Sequence, residues 1–434
     1  MKALQSIFIT STLCLAMLTG CGSDDTDFGG DIESLIAGLG IESEDDGLDG
    51  LGTGSGSGSS GSGDEFTGRV SKVSHAPERI DLLAGGGDQE AQTVLGAGRQ
   101  FYSNPAGTVQ FYTVQGFTDD TNYIYKVGLN SDQIWAVTQT GQTAIEPIVS
   151  GDATVIVHEP VAGLGLFTID PDNQVQTAIG AVGATIRARA GFALTFDGST
   201  VFFTSTDDLT GGNPGGDTMI FSMPTDGSGV ITQVTPNTAG TIGALSIAVS
   251  GDGSVVFFVS DDDVLNDGSN TTNEKQVFAI DANGTNLRML TDSTFTDSWY
   301  RIESNMDGST VAFNFDLDLY VIDTAGPTVT LISSLAGPTE PTWDWGDPLW
   351  SMSDDGAHLS YYRGNELIVN DPANSGELVV ATTGDNATST TGNVPRAWFL
   401  QVLQDGSTAL FGSSFDFGQT ADGENDSQIY RVIF

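Results

Sequence analysis

One short motif recurs seven times along the chain, and this repetition limits the possible folds more than any other feature of the sequence. The five clearest copies combine a tight Asp-Gly turn with a following apolar or alternating strand, and two weaker copies precede them. Asp-Gly tolerates the positive φ that tight hairpin turns require, so each copy predicts a hairpin. The turn positions lie 45 to 55 residues apart, at Ala106, Asp152, Asp197, Asp252, Asp307, Asp355 and Asp405.

Each unit contains further strand-like segments after its hairpin. A third apolar segment follows in all seven units, and a fourth follows in the first six. Four short antiparallel strands per unit, repeated about every 50 residues, are typical of a β-propeller. We predict an all-β, seven-bladed propeller, with six blades as the alternative if the weak first unit is not a blade. The seventh unit ends on its third strand, so we predict that residues 79–87 supply its fourth strand and close the ring.

Two segments carry a resemblance to a known family. Residues 348–362 (PLWSMSDDGAHLSYY) and 276–291 (QVFAIDANGTNLRMLT) resemble the WD40-like (PD40) repeats of the TolB-type propeller family, whose units run W-S-P-D-G, apolar strand, I-Y-V-M-D and R-x-L-T. The resemblance extends over about 105–434 and implies the propeller fold, with Trp350 as the core tryptophan of its unit. This chain lacks the proline before Asp-Gly and shows no TolB-like α/β domain, so the resemblance does not imply TolB's partners.

The N-terminal 21 residues have the pattern of a bacterial lipoprotein signal. Lys2 is followed by an apolar run that is too short for a stable transmembrane helix, and the run ends in LTGC at 18–21. This ending resembles the lipobox, which implies removal of residues 1–20 and lipid attachment to Cys21. The alternative is an ordinary secretory signal. Since Cys14 is the only other cysteine, the mature chain would have no disulfide.

The remaining chain divides into a tether and a propeller. Residues 21–66 are acidic and rich in Gly and Ser, which predicts a flexible tether because such a segment buries little apolar surface. Residues 67–434 contain the repeats and are predicted to form the propeller. We therefore expect a lipid-anchored protein of the bacterial cell envelope. Gly22 after the lipidated cysteine favours the outer membrane, facing the periplasm or the outside.

The charge of the chain limits its partners. The formal net charge is −43, with 57 acidic residues against 14 Lys and Arg. Such a surface repels phosphates and anionic headgroups, so we predict no nucleic-acid binding and a membrane link through the lipid anchor alone. Cations, cationic proteins and neutral glycans are the expected partners. The alternative is that the acidity serves solubility, especially in salt, where self-repulsion is screened.

Two predicted loops repeat an acidic pattern that suits calcium. Asp207 and Asp208 follow one second strand, and Asp262 and Asp263 occupy the same positions after the next. Carboxylate, amide and carbonyl oxygens are the ligands that Ca²⁺ accepts in irregular geometry. These four aspartates are therefore the candidate metal ligands. The alternative is that they form solvated loops that attract ions only diffusely.

The same face of the propeller is expected to carry the partner-binding surface. The connections between second and third strands are long in several units, and long loops on a rigid scaffold are where binding usually occurs. The connections between successive blades emerge on this side as well. One of them contains Trp343 and Trp345, which we predict to stack on a protein or glycan partner.

No catalytic motif is recognisable in the sequence. The three histidines, His75, His158 and His358, are far apart, and His358 is expected inside a second strand as a packed residue. We therefore predict a binding or scaffolding platform rather than an enzyme. The first alternative is a glycan-active lyase or hydrolase, for which carboxylates from several blades should converge near the channel. The second is a subunit of an envelope export or assembly complex.

Overall fold

The protein is described by a computed structural model. It describes residues 70–75, 103–104, 107–115, 122–128, 134–138, 145–159, 165–179, 192–236, 246–270, 274–292, 300–315, 318–326, 328–334, 350–363, 366–371, 376–382, 397–403, 407–413 and 428–433. The predicted signal, the tether and Cys21 lie outside these residues. Within the described ranges, the structure has no helix of the length and apolarity needed to cross a membrane.

The described strands form seven antiparallel sheets, and each sheet is one blade. Strand β1 (Val70–His75) precedes the others in the chain and belongs to blade 7. Blade 1 contains β2 (Val109–Gln115), β3 (Asn122–Gly128) and β4 (Ile134–Ala136); blade 2 contains β5 (Ile145–Val149), β6 (Ile156–Glu159), β7 (Phe167–Asp170) and β8 (Val175–Ala178); blade 3 contains β9 (Phe192–Leu194), β10 (Thr200–Ser205), β11 (Met219–Pro224) and β12 (Thr232–Gln233).

The remaining blades follow the same order from first to last strand. Blade 4 contains β13 (Ser246–Val249), β14 (Val255–Ser260), β15 (Gln276–Asp281) and β16 (Arg288–Met289); blade 5 contains β17 (Tyr300–Ser304), β18 (Thr310–Phe315), β19 (Asp318–Asp323) and β20 (Thr328–Ser334). Blade 6 contains β21 (Trp350–Met352), β22 (Leu359–Arg363), β23 (Glu366–Asp371) and β24 (Gly376–Thr382); blade 7 contains β25 (Ala397–Val402), β26 (Thr408–Ser413) and β27 (Gln428–Ile433). The predicted seven-bladed propeller is confirmed, and the weak first unit is a blade.

An N-terminal strand completes blade 7, but it is not the predicted one. Strand β1 pairs antiparallel with β27, from Val70 opposite Val432 to His75 opposite Gln428. The predicted segment, 79–87, lies outside the described residues. Strand β1 (VSKVSH) offers two valines, which favour a pleated strand, whereas 79–87 ends in three glycines, which disfavour one.

Blades 7 and 1 meet through polar contacts. Gln401 on β25 accepts hydrogen bonds from the backbone N–H and the hydroxyl of Ser103, at 3.1 and 2.9 Å. Arg431 on β27 donates to the carbonyl of Gly107 at 3.1 Å. Ser103 forms only an isolated bridge to Gln110, so in blade 1 the first strand is reduced to this bridge among the described residues. These contacts link the last blade to the first.

The turns between first and second strands are built alike in five blades. In blade 4, Asp252 Oδ1 accepts the N–H of Ser254 at 2.9 Å, while Ser250 Oγ accepts the N–H of Val255 at 3.0 Å. Gly253 supplies the positive φ of 73°. Equivalent bonds occur in the other turns, with acceptor pairs Ser150 and Asp152, Thr195 and Asp197, Asn305 and Asp307, and Ser353 and Asp355.

The hydrophobic core lies between the blades. One cluster joins buried residues of blades 2, 3 and 4, among them Val157, Phe203 and Phe258. A second cluster joins blades 4 and 5, and a third joins blades 5 and 6 around Trp350. Trp350 is fully buried, in keeping with the structural role that the family resemblance implies. Burial between neighbouring sheets holds the blades in place and leaves the two ends of each blade to carry loops.

Candidate functional site

The antiparallel order of the strands separates the connections onto two faces. The turn face carries the Asp-Gly turns between first and second strands, and the long-loop face carries the connections between second and third strands. On the long-loop face, the blade 3 loop comprises residues 206–218. Of the blade 4 loop, 261–275, the structure describes residues 261–270, Glu274 and Lys275. These two loops contain the four predicted metal ligands.

A buried asparagine organises each of these loops. Asn213 Nδ2 donates to the carbonyl of Asp217 at 2.6 Å, and Asn213 Oδ1 accepts the N–H of the same residue at 3.1 Å. Asn270 forms the same two bonds with Glu274, at 2.7 and 3.2 Å. Both asparagines are 3% exposed. Because a buried amide that is fully bonded is costly to release, each loop is fixed from inside.

The predicted metal ligands take part in the same loop structure. Asp208 Oδ1 accepts the N–H of Asn213, and Asp263 Oδ2 accepts the N–H of Gly268, both at 2.8 Å. Asp207 and Asp262 donate their backbone N–H groups to the hydroxyls of the serines two positions earlier, at 3.1 Å. Among the described residues, no group of three or more His, Cys, Asp and Glu is arranged to hold a metal ion. The calcium prediction therefore stays a prediction.

The two loops bring negative charge together across neighbouring blades. Burial raises the pKa of Asp262, and the charges of Asp261 and Asp217 raise it further. Asp217 belongs to the blade 3 loop, whereas Asp261 and Asp262 belong to the blade 4 loop. The long-loop face therefore carries a local acidic surface that is fixed in shape. We call these two loops, with Asp217, Asp261 and Asp262 as their facing charges, the acidic loop pair.

The turn face carries a shallow cleft that the sequence did not indicate. The cleft, about 400 Å³ in volume, lies between the turns of blades 3 and 4, with Phe196 and Met306 in its apolar wall and Asp197 and Asp252 at its edge. The backbone N–H of Ser199 is the main cause of the lowered pKa of Asp197. Burial raises the pKa of Asp252, but hydrogen bonds from Ser250 and Ser254 outweigh burial, so its pKa is also lowered. Both carboxylates are thus held ionised.

Charged side chains also meet at the seam between blades 5 and 6. Arg301 on β17 forms an ion pair with Glu303, donates to the carbonyl of Trp350 at 2.8 Å and stacks 4.9 Å from the centre of the Trp350 ring. Glu303 Oε2 accepts the N–H of Met352 at 3.0 Å. Burial, followed by the charges of Asp355 and Glu303, raises the pKa of Asp354 to about 6. Carboxylates of two blades therefore meet here, with Glu303 already bonded on both oxygens.

Two of the three histidines, His158 and His358, can be placed in the structure. His158 is fully buried, stacks on Phe167 and lies 3.0 Å from both Gln176 Nε2 and the Glu159 carbonyl. Burial lowers its pKa, so the ring stays neutral. His358 lies in the turn and not in the strand, because β22 begins at Leu359, and its N–H donates to Ser353 Oγ at 2.9 Å. The prediction of His358 inside the second strand was wrong by one residue.

Three predicted site residues lie outside the described residues: Cys21, Trp343 and Trp345. Their roles in lipid attachment and partner binding stay predictions. Sequence reasoning missed Asn213 and Asn270 as loop organisers, although both loops contain an Asn four residues before an acidic residue. It also missed the charged seam, since its members lie about 50 residues apart in the chain.

Comparison with known proteins identifies the fold class. No protein-family model matches the chain, and no curated protein matches it. Among solved structures, an oligogalacturonate lyase from Vibrio parahaemolyticus shares 12% identity with a TM-score of 0.51, and an oligogalacturonate lyase in complex with manganese shares 14% with a TM-score of 0.50. Each match covers 77% of this chain and 88% of the other. At this identity the likeness concerns the fold alone, and it agrees with a β-propeller.

TolB itself is among the similar structures, at a greater distance. TolB from Acinetobacter baumannii shares 15% identity, with a TM-score of 0.39 over 64% of this chain and 60% of TolB. A likeness at this level carries no functional argument. The fold is that of a seven-bladed β-propeller, and the two faces described above are the places where its function can reside.

Proposed function

We propose that this protein is a lipid-anchored component of the bacterial cell envelope whose propeller is a binding or scaffolding platform. The predicted lipid site is Cys21, and the outer membrane is the predicted location. The observation that carries the platform is the acidic loop pair, because each of the two neighbouring loops is fixed by its own buried asparagine and their negative charges lie close together.

The acidic loop pair favours a cationic partner. The whole chain has a net charge of −43, so its electrostatic field attracts a positively charged protein segment from a distance. The acidic loop pair then binds this segment without having to become ordered first. A fixed surface lowers the entropic cost of binding. Ca²⁺ is the proposed stabilising cofactor of the same loops, with Asp207, Asp208, Asp262 and Asp263 as its candidate ligands.

Binding to a Lys-rich peptide tests the platform directly. The variant Asp217→Asn with Asp261→Asn removes two charges from the acidic loop pair. The control variant, Asp226→Asn with Asp323→Asn, removes two exposed charges from the turn face, one in the turn after β11 and one at the end of β19. In isothermal titration at fixed low ionic strength, the first variant should weaken binding several-fold more than the control. Equal weakening in both variants would mean that only net charge matters, and the proposed platform would be rejected.

Thermal unfolding tests the calcium part separately. Unfolding would be followed with Ca²⁺, with Mg²⁺ and with chelator, all at the same ionic strength. A ligand present at 100 times its Kd stabilises the folded state by about 2.7 kcal/mol, so Ca²⁺ alone should raise the Tm. The variant Asp207→Asn with Asp262→Asn should abolish this rise. Identical Tm values in all three conditions would contradict calcium as a cofactor and leave the peptide experiment unaffected.

Cell fractionation tests the anchor. The wild-type chain should appear in the membrane fraction and incorporate labelled palmitate, whereas Cys21→Ser should do neither, because one lipidated cysteine is the only membrane link that the sequence predicts. Labelling of the Cys21→Ser variant would show that the lipid site was assigned wrongly.

A further inference from the structure

Within the described residues, the seam between blades 5 and 6 holds a carboxyl group, that of Asp354, with a buried oxygen that has no hydrogen-bond partner. Asp354 directly precedes the Asp355 of the blade 6 turn. The residues at the same position in blades 2 to 5 are Gly151, Phe196, Gly251 and Met306, none of which is charged. The Oδ2 atom of Asp354 is buried and accepts no hydrogen bond in the described part of the structure. A buried, unpaired carboxylate oxygen costs free energy in its ionised form.

The backbone keeps Asp354 inside the seam. Its carbonyl accepts the N–H of Met306 from the neighbouring turn at 2.7 Å. Asn305 Nδ2 in the same turn donates to the carbonyl of Asp355 at 3.4 Å. These contacts connect the two blades through backbone groups and fix the main chain of Asp354 at the junction of the turns.

The charged groups around Asp354 are mostly negative. Strand β17 contributes Glu303 and Arg301, and the positive charge of Arg301 is already engaged by Glu303 and by the carbonyl of Trp350. The blade 5 turn contributes Asp307, and the turn of Asp354 itself contributes Asp355 and His358. The blade 7 turn, residues 404–406, lies outside the described residues. An ionised Asp354 therefore faces repulsion from Asp355 and Glu303, and protonation removes this repulsion.

We propose that this seam is a proton-sensitive joint, in which protonation of Asp354 tightens the contact between blades 5 and 6 and ionisation loosens it. The pKa of about 6 lies above the ordinary carboxyl value of 3.8. The folded state therefore retains a proton between about pH 4 and pH 6 that the unfolded state has released. The stabilisation is largest at acid pH and is lost as the pH rises through about 6.

Hydrogen exchange of the full chain at pH 5.0 and pH 7.5 tests the joint, after correction for intrinsic exchange rates. The two pKa values imply that protection of the amides in β17 and in the turn of Asp354 falls about tenfold between these pH values, if the seam opens as a unit. Amides of β10 and β14, in blades 3 and 4, should change much less. Equal protection of the seam at both pH values would overturn the proposal.

Substitutions distinguish the effect of Asp354 on the pH dependence from the effects of the other carboxylates. Asp354→Asn should remove the pH dependence and keep the seam protected at pH 7.5. The matched control, Asp307→Asn, removes an exposed charge from the neighbouring turn and should leave the pH dependence in place. Glu303→Gln removes one repelling charge and leaves the charge of Arg301 uncompensated. Both changes favour ionised Asp354, so the transition should shift to lower pH even if Asp354→Asn folds poorly. An unchanged pH dependence in Asp354→Asn, or an unshifted transition in Glu303→Gln, would overturn the proposal.

Discussion

Blades 2 to 4 are joined by apolar side chains, whereas the seam between blades 5 and 6 adds charged side chains to its apolar cluster. In blades 2 to 4, one continuous apolar cluster contains the stacked pairs Phe203–Phe221 and Phe258–Phe278, with ring centres 5.8 and 5.4 Å apart. At the seam, Arg301 and Glu303 reach across to the backbone of blade 6. Apolar packing contains no group that titrates and no charge that salt can screen, whereas a charged seam depends on its protonation state. The ring thus contains an apolar junction whose stability does not depend on pH and a charged junction whose stability does.

The largest expected effect is in the apolar cluster. Phe203→Ala removes a fully buried ring from the middle of blades 2 to 4 and should lower the free energy of unfolding by about 3 to 5 kcal/mol. Urea unfolding at pH 5.0 and 7.5 measures this loss, which should be the same at both pH values. Val175→Ala on outer strand β8, where Val175 is 56% exposed, is the control and should cost less than about 0.5 kcal/mol. A loss below 1 kcal/mol in Phe203→Ala would contradict the described core.

The charged seam should respond strongly to the loss of one partner. Arg301→Met leaves Glu303 largely buried without its cation, so the free energy of unfolding should fall by about 3 kcal/mol. Adding Glu303→Leu should recover most of this loss, because no uncompensated charge then remains. Urea unfolding of the single and double variants measures both effects. An additive result, with the double variant worse than the single one, would mean that the two side chains are not coupled.

Close packing of neighbouring turns predicts a smaller effect in blades 2 and 3. A Cβ atom on Gly151 would lie 2.1 Å from a carbon of the Phe196 ring, so Gly151→Ala should cost about 1 to 3 kcal/mol through overpacking. Phe196→Leu in the same chain should relieve part of this cost. Thermal unfolding measures both variants, and an unchanged Tm in Gly151→Ala would contradict the contact between these turns.

The smallest effect is a gain. Ala153 occupies the glycine position of the blade 2 turn and has a φ of 62°, whereas the turns between first and second strands of blades 3 to 6 have glycine there at 68° to 73°. Ala153→Gly removes this strain and should raise the free energy of unfolding by about 0.5 to 1 kcal/mol. Gly253→Ala, the reverse change in blade 4, should destabilise the protein. A loss of stability in Ala153→Gly would show that chain entropy outweighs backbone strain here.

The sequence predicts the propeller well because its signals are local. Each Asp-Gly pair specifies a turn within a few residues, and five of the turns at the predicted aspartates are hydrogen-bonded in one way. The closing strand was placed wrongly because β1 pairs with β27, more than 350 residues away in the chain. The sequence pattern of β1 is short, and the pattern of 79–87 also fits the position of a fourth strand. Local patterns do not specify which distant strand completes a sheet.

The candidate site was less predictable for a related reason. The acidic loops were recognised by their repeated aspartates, but the buried Asn213 and Asn270 that organise them resemble ordinary loop residues in the sequence. The meeting of Glu303 with Asp354 depends on neighbouring blades, which the sequence places about 50 residues apart. Propensity and periodicity describe what a residue does within its own strand, and these contacts form between strands of different sheets.

The turns of successive blades are also joined by their main chains. Asp152 donates its N–H to the carbonyl of Phe196, Phe196 donates to Gly251, and Asp252 donates to Met306, at 2.9 to 3.0 Å. Peptide groups are common to every residue, so these backbone hydrogen bonds between turns do not depend on which side chain a turn carries. Repeats joined in this way can drift apart in sequence without losing their alignment. Such tolerance accounts for the presence of glycine, phenylalanine, methionine and aspartate at one equivalent position of the turns, the position of Asp354 in blade 6. Each blade can therefore acquire its own polar or charged residues at this position.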